Sequence, residues 1–322
     1  MTEKIPVTFD TGEKVEVPIQ HTARLLENPG VESARATLHQ ELSDLEVKNC
    51  ELIKLADENL ANDNTVVEVN GNLIFKFPRR EADMAKREEK FLNLLEGKVM
   101  VKIPKVLYSG EKTSFYGTDK MKGVHVDDAF FEHASEAQKD TLAGDVAQFL
   151  HELHTHMPIE EADRIGIKED EADRKLSLSQ LHTIIELQRG DDAGFKEFLS
   201  RAIEAYHGIN TRSGEKKVFL HHDLSDGNLF LDPRTKRLEG VIDFGNVATG
   251  DKYIDFASLY RNRPEFALRV ADKYGEVSGE AIDTERIRAT AIVKEIAHLV
   301  QIPQKREKAL NKLRKWYEEA KS

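Results

Sequence analysis

Cysteine is almost absent from this chain of 322 residues, in which Cys50 is the only one. A disulfide framework is therefore excluded, and a reducing, cytoplasmic compartment is predicted. The sequence also has no apolar stretch of transmembrane length, and its first residues have no apolar segment of the secretion-signal type. We therefore expect no membrane partner.

Basic residues are fewer than acidic residues. The chain has 47 lysine and arginine residues against 58 aspartate and glutamate residues, which gives a formal net charge of −11. This balance disfavours nucleic acid as a partner and is compatible with a cationic substrate. Hydrophobic residues make up 39% of the chain, as in ordinary globular proteins, and the length is sufficient for two lobes with separate cores.

The most specific pattern lies in residues 219–245. His221 and Asp223 are followed by Asn228, an apolar strand, a charged turn and a second strand that ends at Asp243. Phosphoryl transfer from a nucleotide requires a carboxylate that accepts the proton of the attacking hydroxyl, and amide and carboxylate oxygens that bind Mg²⁺. The spacing predicts Asp223 as the catalytic base and Asn228 and Asp243 as the Mg²⁺ ligands. The alternative is a hairpin with acidic turns.

A second hairpin supplies a candidate phosphate-binding lysine. Asn70 and Gly71 separate two β-rich runs, and both are residues that accept the positive φ of a tight hairpin turn. On the second strand, Ile74 and Lys76 share one face. Two interpretations are open for Lys76: an edge-strand residue whose ammonium group reaches water, or a residue that binds the α- and β-phosphates of a nucleotide.

The segment that follows, residues 81–96, has the apolar spacing of an amphipathic helix. Glu88 falls within the apolar stripe, whereas Glu89 does not. A glutamate that faces a core requires a cationic partner, and Lys76 is the obvious one. We therefore predict an ion pair between Lys76 and Glu88. The alternative is a glutamate at the edge of the stripe that reaches solvent.

The other patterns predict a β-rich beginning and a helical second half. The predicted elements are a hairpin over 5–18, helices over 20–27 and 31–42, strands over 51–55 and 115–121, and a helix from the capping box of Ser135 and Gln138 to His154. The chain after Asp255 is predicted to be helical. Its last helix has an apolar stripe of Leu310, Leu313 and Tyr317, surrounded by basic residues, among them Lys312, that we expect to be solvated.

Acidic residues are concentrated between positions 159 and 173, where seven carboxylates accompany two basic side chains. Carboxylates are the groups that bind the ammonium groups of a cationic acceptor. Glu169, Asp170 and Glu171 are therefore predicted to bind the substrate. A solvated acidic helix face is the alternative.

With these motifs in place, the chain resembles the aminoglycoside phosphotransferase family, and in particular its branch that phosphorylates the 2″-hydroxyl of aminoglycosides. The likeness extends from about Leu45 to Tyr260 and includes the strand of Lys76, the hinge at Lys122-Gly123 and the His-x-Asp loop. It implies an α+β, bilobal protein-kinase-like fold. The implied parts are an N-terminal extension of unknown role over 1–44, a nucleotide-binding β-rich lobe over 45–121, and a larger helical catalytic and substrate-binding lobe over 122–322.

The resemblance implies further site residues and partners. Backbone groups of Asp119 and Met121 would bind the edge of a purine, Ile74 and Phe230 would enclose the base, and Asp255 would brace the catalytic loop. ATP or GTP would be the co-substrate, together with Mg²⁺, and the protein would be a monomer. One departure is the phosphate-side loop, residues 60–64, which has no glycine where the family often has one.

The sequence therefore predicts a small-molecule kinase that transfers a γ-phosphoryl group to a hydroxyl of an aminoglycoside. A kinase for a macrolide, choline, ethanolamine or another hydroxylated metabolite is the main alternative, although Phe244 and Gly245 differ from the residues usual in macrolide and choline kinases. A non-catalytic nucleotide-binding scaffold is less favoured because the motif residues are intact. A protein kinase is disfavoured because the glycine-rich loop and the Ala-Pro-Glu segment are missing.

Overall fold

The computed structural model describes residues 4–8, 14–18, 30–54, 64–78, 82–170, 178–186, 193–210, 216–301 and 306–321. Strands dominate the first part. They are β1 (Lys4–Thr8), β2 (Lys14–Pro18), β3 (Cys50–Lys54), β4 (Asn64–Val69), β5 (Leu73–Pro78), β6 (Val106–Ser109) and β7 (Tyr116–Asp119), and the helices among them are α1 (Val31–Glu41) and α2 (Ala82–Leu95). The antiparallel pairing of β1 with β2 confirms the first predicted hairpin. The helix predicted over 20–27 lies outside the described residues.

A five-stranded antiparallel sheet in the order β3-β4-β5-β7-β6 forms the smaller lobe. The turn between β4 and β5 has positive φ at both Asn70 (55°) and Gly71 (76°), as the Asn-Gly signal predicts. Leu73, Phe75 and Phe77 are buried, whereas Ile74 and Lys76 are half-buried on the opposite face. The alternation of β5 thus directs Lys76 away from the core of the sheet.

Helix α1 packs against this sheet. Its buried residues Ala34 and Leu38 belong to the same apolar cluster as Val67 and Phe75. The helix predicted over 31–42 is therefore confirmed, and α1 contributes to the core of the smaller lobe.

Helices dominate the larger lobe. They are α3 (Asp128–His133), α4 (Glu136–His156), α5 (Glu161–Ile165), α6 (Leu178–Glu186), α7 (Ala193–Asn210), α8 (Tyr253–Asn262), α9 (Pro264–Ser278), α10 (Thr284–Gln301) and α11 (Arg306–Lys321). The capping box of Ser135 and Gln138 at the start of α4 is confirmed. Helix α4 is the central helix, since its buried face includes Phe149, Leu150 and Leu153 and it packs against α9. No helix in the described ranges is long and apolar enough to cross a membrane.

Short strands in the larger lobe position the catalytic motifs. They are β8 (Val124–His125), β9 (Val218–Leu220), β10 (Leu229–Leu231), β11 (Leu238–Val241) and β12 (Ala248–Gly250). β9 pairs with β12, and β10 lies between β8 and β11. Gly123 precedes β8 with a φ of 105°, and a Cβ atom there would lie 2.4 Å from the carbonyl oxygen of Leu231, so only glycine fits this crossing between the lobes.

The last helix confirms one prediction and corrects another. The buried residues of α11 are Ala309, Leu313 and Trp316, and Leu310 and Tyr317 pack partly buried against the same core, so the apolar stripe is confirmed and is wider than predicted. Lys312 is not solvated: only 19% of its side chain is exposed, and its Nζ lies 3.0 Å from Glu295 Oε1. Glu295, on the neighbouring helix α10, stabilises Lys312 in this partly buried position. The sequence pattern of α11 alone does not reveal this partner.

Candidate active site

The catalytic loop begins where β9 ends. His221 is fully buried, and its ring nitrogen Nε2 lies 3.0 Å from the carbonyl oxygen of Ile242, so it joins the loop to the end of β11. Asp223 is exposed. Asn228 ends a short 3₁₀ turn, and its Nδ2 atom donates to the backbone carbonyl of Asp223 at 2.9 Å. This bond leaves the amide oxygen of Asn228 to face other ligands.

Asp255, at the start of α8, braces this loop. Its carboxylate accepts hydrogen bonds from the backbone N–H groups of His221 (3.0 Å) and His222 (2.7 Å), and lies 3.1 Å from Nε2 of His154. Burial by itself raises the pKa of Asp255, but these bonds and the adjacent histidines outweigh burial and lower it below its usual value. The geometry thus agrees with the bracing role that the resemblance implied.

Lys76 lies between two carboxylates. Its Nζ atom is 2.9 Å from Glu88 Oε1 and 2.9 Å from Asp243 Oδ1. Glu88 is 4% exposed, which confirms the predicted ion pair with a core-facing glutamate. Burial by itself lowers the pKa of Lys76, yet Asp243 and Glu88 raise it well above its usual value, so the lysine stays charged.

Asp243 has an unusual backbone conformation. Its φ is 69°, in the left-handed region, and it directly precedes the short 3₁₀ turn Phe244–Asn246. Aspartate tolerates this region better than most residues. Gly245 follows, and a Cβ atom there would lie 3.2 Å from Glu88 Oε2, so glycine allows the close approach of this turn to α2.

These residues surround a cavity of about 610 Å³ between the lobes. The predicted site residues that line it are Ile74, Lys76, Asp119, Met121, Asp223, Asn228, Phe230 and Asp243. Glu88 lies behind Lys76. The structure therefore brings together every predicted catalytic, metal-binding and nucleotide-binding residue.

The apolar end of the cavity is formed by the hinge and by β10. Phe230 packs against the ring of His125, with the ring centroids 4.1 Å apart. At the hinge, Asp119 accepts a hydrogen bond from the backbone N–H of Lys105 at 2.8 Å, which fixes the end of β7. Among the described residues, the backbone N–H of Met121 has no hydrogen-bond partner. It is therefore available to a ligand.

Sequence patterns did not indicate several side chains of the site. Nδ2 of Asn246 lies 3.4 Å from Asp223 Oδ2. Tyr116 is buried beside Glu88 and Lys76, and burial together with the charge of Glu88 raises the pKa of its hydroxyl well above its usual value. Arg263 donates to Asp226 of the catalytic loop at 2.8 Å and stacks on Phe131. These contacts join residues that are distant in the sequence, so no local pattern predicts them.

Two of the three predicted substrate-binding carboxylates have partners within the protein. Glu169 Oε2 lies 2.6 Å from Nζ of Lys217, and Asp170 Oδ1 lies 3.2 Å from Nε2 of His222. Glu171 lies outside the described residues. His222, which lies between His221 and Asp223 in the motif, therefore has a side-chain partner of its own. The predicted role of the three carboxylates in substrate binding stays a prediction.

A second cavity, of about 710 Å³, lies between α7, α9, α10 and α11. Its wall combines the aromatic rings of Tyr260, Trp316 and Tyr317 with four glutamates and three basic residues. Its edge at Pro264 and Glu265 directly follows Arg263, which contacts the catalytic loop through Asp226.

Comparison with known proteins identifies the family. A model described as a phosphotransferase enzyme family matches residues 53–289. The chain belongs to this family. Membership of this family makes the protein a phosphotransferase that acts on a hydroxyl group.

Similar proteins agree with this assignment. An aminoglycoside 3′-phosphotransferase from Streptomyces fradiae is 26% identical over 208 residues, which cover 58% of this chain and 70% of that protein. The GDP complex of aminoglycoside 2′-phosphotransferase-IIIa superimposes with a TM-score of 0.76 at 23% identity, over 90% of this chain and 99% of that one. A macrolide 2′-phosphotransferase type I has a TM-score of 0.60 at 16% identity, over 90% and 97% of the two chains. These superpositions confirm the predicted bilobal kinase-like fold.

Proposed function

We propose that this phosphotransferase transfers the γ-phosphoryl group of ATP or GTP to a hydroxyl of an aminoglycoside. The observation that carries the proposal is the convergence of Asp223, Asn228, Asp243 and Lys76 on one cavity. A polar group for each requirement of phosphoryl transfer is present there: a proton acceptor, cation ligands and a charge that faces the phosphates.

The nucleotide would occupy the cavity between the lobes. Its base would lie between Ile74 and Phe230, with its edge against the backbone of Asp119 and Met121, where the N–H of Met121 is available. The phosphates would then extend towards Lys76. Glu88 keeps the lysine charged and directed into the cavity.

Mg²⁺ fits the donor set at the inner end of the cavity. Asn228 and Asp243 would bind it, because an amide oxygen and a carboxylate are the hard ligands that Mg²⁺ prefers. The Asn228 side chain is oriented for this, since its Nδ2 atom is engaged by the carbonyl of Asp223. No group of three His, Cys, Asp or Glu side chains in the described part of the chain could hold a metal ion alone, which matches an ion completed by phosphate oxygens and water. When bound, Mg²⁺ neutralises the charge that develops on the transferred group.

Asp223 would act as the base. Its carboxylate is exposed at the cavity, and Asn246 contacts one of its oxygens at 3.4 Å. It would accept the proton of the acceptor hydroxyl as the oxygen attacks the γ-phosphorus in line with the leaving oxygen. Most of the rate enhancement would come from position and electrostatics, since the reaction needs no covalent intermediate.

The acceptor would bind in the second cavity, whose wall at Pro264 directly follows Arg263, a residue that contacts the catalytic loop at Asp226. Its glutamates Glu197, Glu265, Glu285 and Glu319 can neutralise ammonium groups, and its aromatic rings can pack against sugar rings or cations. Its volume, about 710 Å³, is in the range of pockets for drug-sized ligands. The net charge of −11 favours a cationic acceptor further.

A kinase for a macrolide or another hydroxylated small molecule is the second candidate. The superposition with a macrolide phosphotransferase supports it, because the same fold serves both classes of acceptor. The three basic residues that line the second cavity, Arg201, Arg288 and Lys321, also fit a less cationic acceptor. The monomeric state and the cytoplasmic location stay predictions.

Release of nucleoside diphosphate across a panel of aminoglycosides, macrolides and amino alcohols tests the proposal, with ATP and GTP compared and the product checked for the mass of one phosphoryl group. We expect the highest kcat/KM with an aminoglycoside. A neutral acceptor with higher kcat/KM would assign the protein to the second candidate. Absence of transfer to every class would contradict both.

Two charge-reversal variants on α9 locate the acceptor site. Glu265→Lys should raise the acceptor KM by about 3- to 10-fold, the effect of losing a partly exposed ion pair and adding a repulsion, and leave the nucleotide Kd unchanged. Asp272→Lys changes the charge equally on the same helix outside the cavity and should leave the acceptor KM unchanged. Equal effects of the two variants would exclude a specific contact at Glu265.

A further inference from the structure

The residue before Asp223 has a strained backbone. His222 has a φ of 70°, in the left-handed region, which glycine adopts most readily and other residues adopt uncommonly. Its backbone N–H donates to Asp255 Oδ1 at 2.7 Å, and its carbonyl oxygen accepts from Ser258 Oγ at 3.0 Å. Both contacts use backbone groups and would form equally well with glycine. They do not explain why a side chain is present at this position.

The imidazole of His222 provides the explanation. Its Nε2 atom lies 3.2 Å from Asp170 Oδ1, and the Asp170 side chain is only 5% exposed, against 23% for the imidazole. A nearly buried carboxylate requires polar partners, since the loss of its hydration is otherwise uncompensated. His222 supplies one of them from within the catalytic loop.

The backbone of Asp170 is fixed independently. Its N–H donates to the carbonyl of Thr249 at 2.7 Å, and the N–H of Thr249 donates to the carbonyl of Lys168 at 3.0 Å. Residues 168–170 therefore extend the β9–β12 ribbon in parallel. Because β9 leads directly into His221, the same ribbon carries both Asp170 and the start of the catalytic loop. The carboxylate is thus held at a fixed place relative to that loop.

From this geometry we infer that Asp170 and His222 are positioning residues, which fix the direction of the chain that enters Asp223. The inference rests on the proposed role of Asp223 as the base. The pair acts through the backbone of the catalytic loop and need not touch either substrate. Asp170 then has a role different from the acceptor binding that the acidic segment predicts. Loss of positioning lowers kcat, whereas loss of an acceptor contact raises KM.

Steady-state kinetics of four variants test the pair. Asp170→Ala and His222→Gly should each lower kcat by about 10- to 100-fold, as small misplacements of a reacting group do, with the acceptor KM and the nucleotide Kd changed less than about twofold. His222→Asn should restore much of the activity, because asparagine tolerates the left-handed region and its amide can donate to Asp170. Glu276→Gln removes a carboxylate of similar size from an exposed pair with Lys273 on α9, outside both cavities, and as the control it should match the wild type.

Two results would overturn the inference. A raised acceptor KM with unchanged kcat in Asp170→Ala would place Asp170 in the acceptor site, and unchanged kcat and KM would show that the pair has no part in turnover. If the wild type transfers no phosphoryl group to any acceptor, the proposed function fails instead. In that case, a double-mutant cycle of Asp170→Ala and His222→Gly, measured as the free energy of unfolding, tests the contact. Non-additive losses of stability support the contact, and additive losses refute it.

Discussion

At the scale of single residues, the site depends on charges held in place by their neighbours. Lys76 lies on the less buried face of β5, Glu88 lies on the buried face of α2, and Asp243 completes the cluster from the other lobe. The pairing of Lys76 with Glu88 could be predicted, because each is a charged residue at an apolar position of its own element. A charge at such a position is stable only beside an opposite charge. The contact with Asp243 could not be predicted, because it depends on how the lobes pack.

Alanine substitutions at Lys76 and Glu88 test this cluster. Each should lower kcat/KM by about 10²-fold, since the preorganised charge that faces the phosphates is lost or misdirected. The double variant should be little worse than either single one, because both changes remove the same interaction. Glu89→Ala is the matched control: Glu89 is the next residue on α2 but accepts a hydrogen bond from Ser109 on the surface, and its loss should leave kcat/KM unchanged. Fully additive losses would contradict the pairing.

At the scale of elements, three helices of the larger lobe are joined by a buried carboxylate. Glu295 on α10 is 3% exposed and contacts Arg261 on α8 at 2.7 Å and Lys312 on α11 at 3.0 Å. Burial alone raises the pKa of Glu295, but a hydrogen bond with His298 and the charges of Arg261 and Lys312 lower it well below its usual value. The pattern of α11 could not indicate this, because the partner that permits burial of Lys312 lies on another helix.

This cluster predicts how stability depends on pH. A carboxylate whose pKa is lower in the folded than in the unfolded state stabilises the fold above the unfolded pKa, about 4.3, and this contribution disappears as the pH falls towards the folded pKa. Glu295→Gln leaves Arg261 and Lys312 uncompensated and should lower the free energy of unfolding by about 3 kcal/mol at pH 7. The difference from the wild type should shrink between pH 5 and about pH 2.

Chemical denaturation of both proteins at several pH values measures this difference. Glu318→Gln serves as the control, because Glu318 forms an exposed pair with Lys321 and should contribute less than about 0.5 kcal/mol. A difference between wild type and Glu295→Gln that stays constant, or grows, as the pH falls would refute the assignment.

At the scale of the whole molecule, the sequence predicted the two lobes and the catalytic motifs well. Short motifs such as His221 to Asn228 hold the proposed catalytic residues at fixed spacing, so they can be recognised without the fold. The contacts that support these motifs cannot be recognised from the sequence. The pairs Asp170–His222 and Arg263–Asp226 join segments that meet only after folding. The second cavity is likewise built by several helices, so no local pattern indicates it.

The role of Asp223 is the central claim, and one measurement tests it most directly. In Asp223→Asn, kcat for phosphoryl transfer to the best acceptor of the panel should fall by about 10²- to 10⁴-fold, the usual contribution of a positioned base. The nucleotide Kd and the free energy of unfolding should stay close to the wild-type values, because the amide has nearly the same shape as the carboxylate. A kcat close to the wild-type value in this variant, with the nucleotide still bound, would contradict the account.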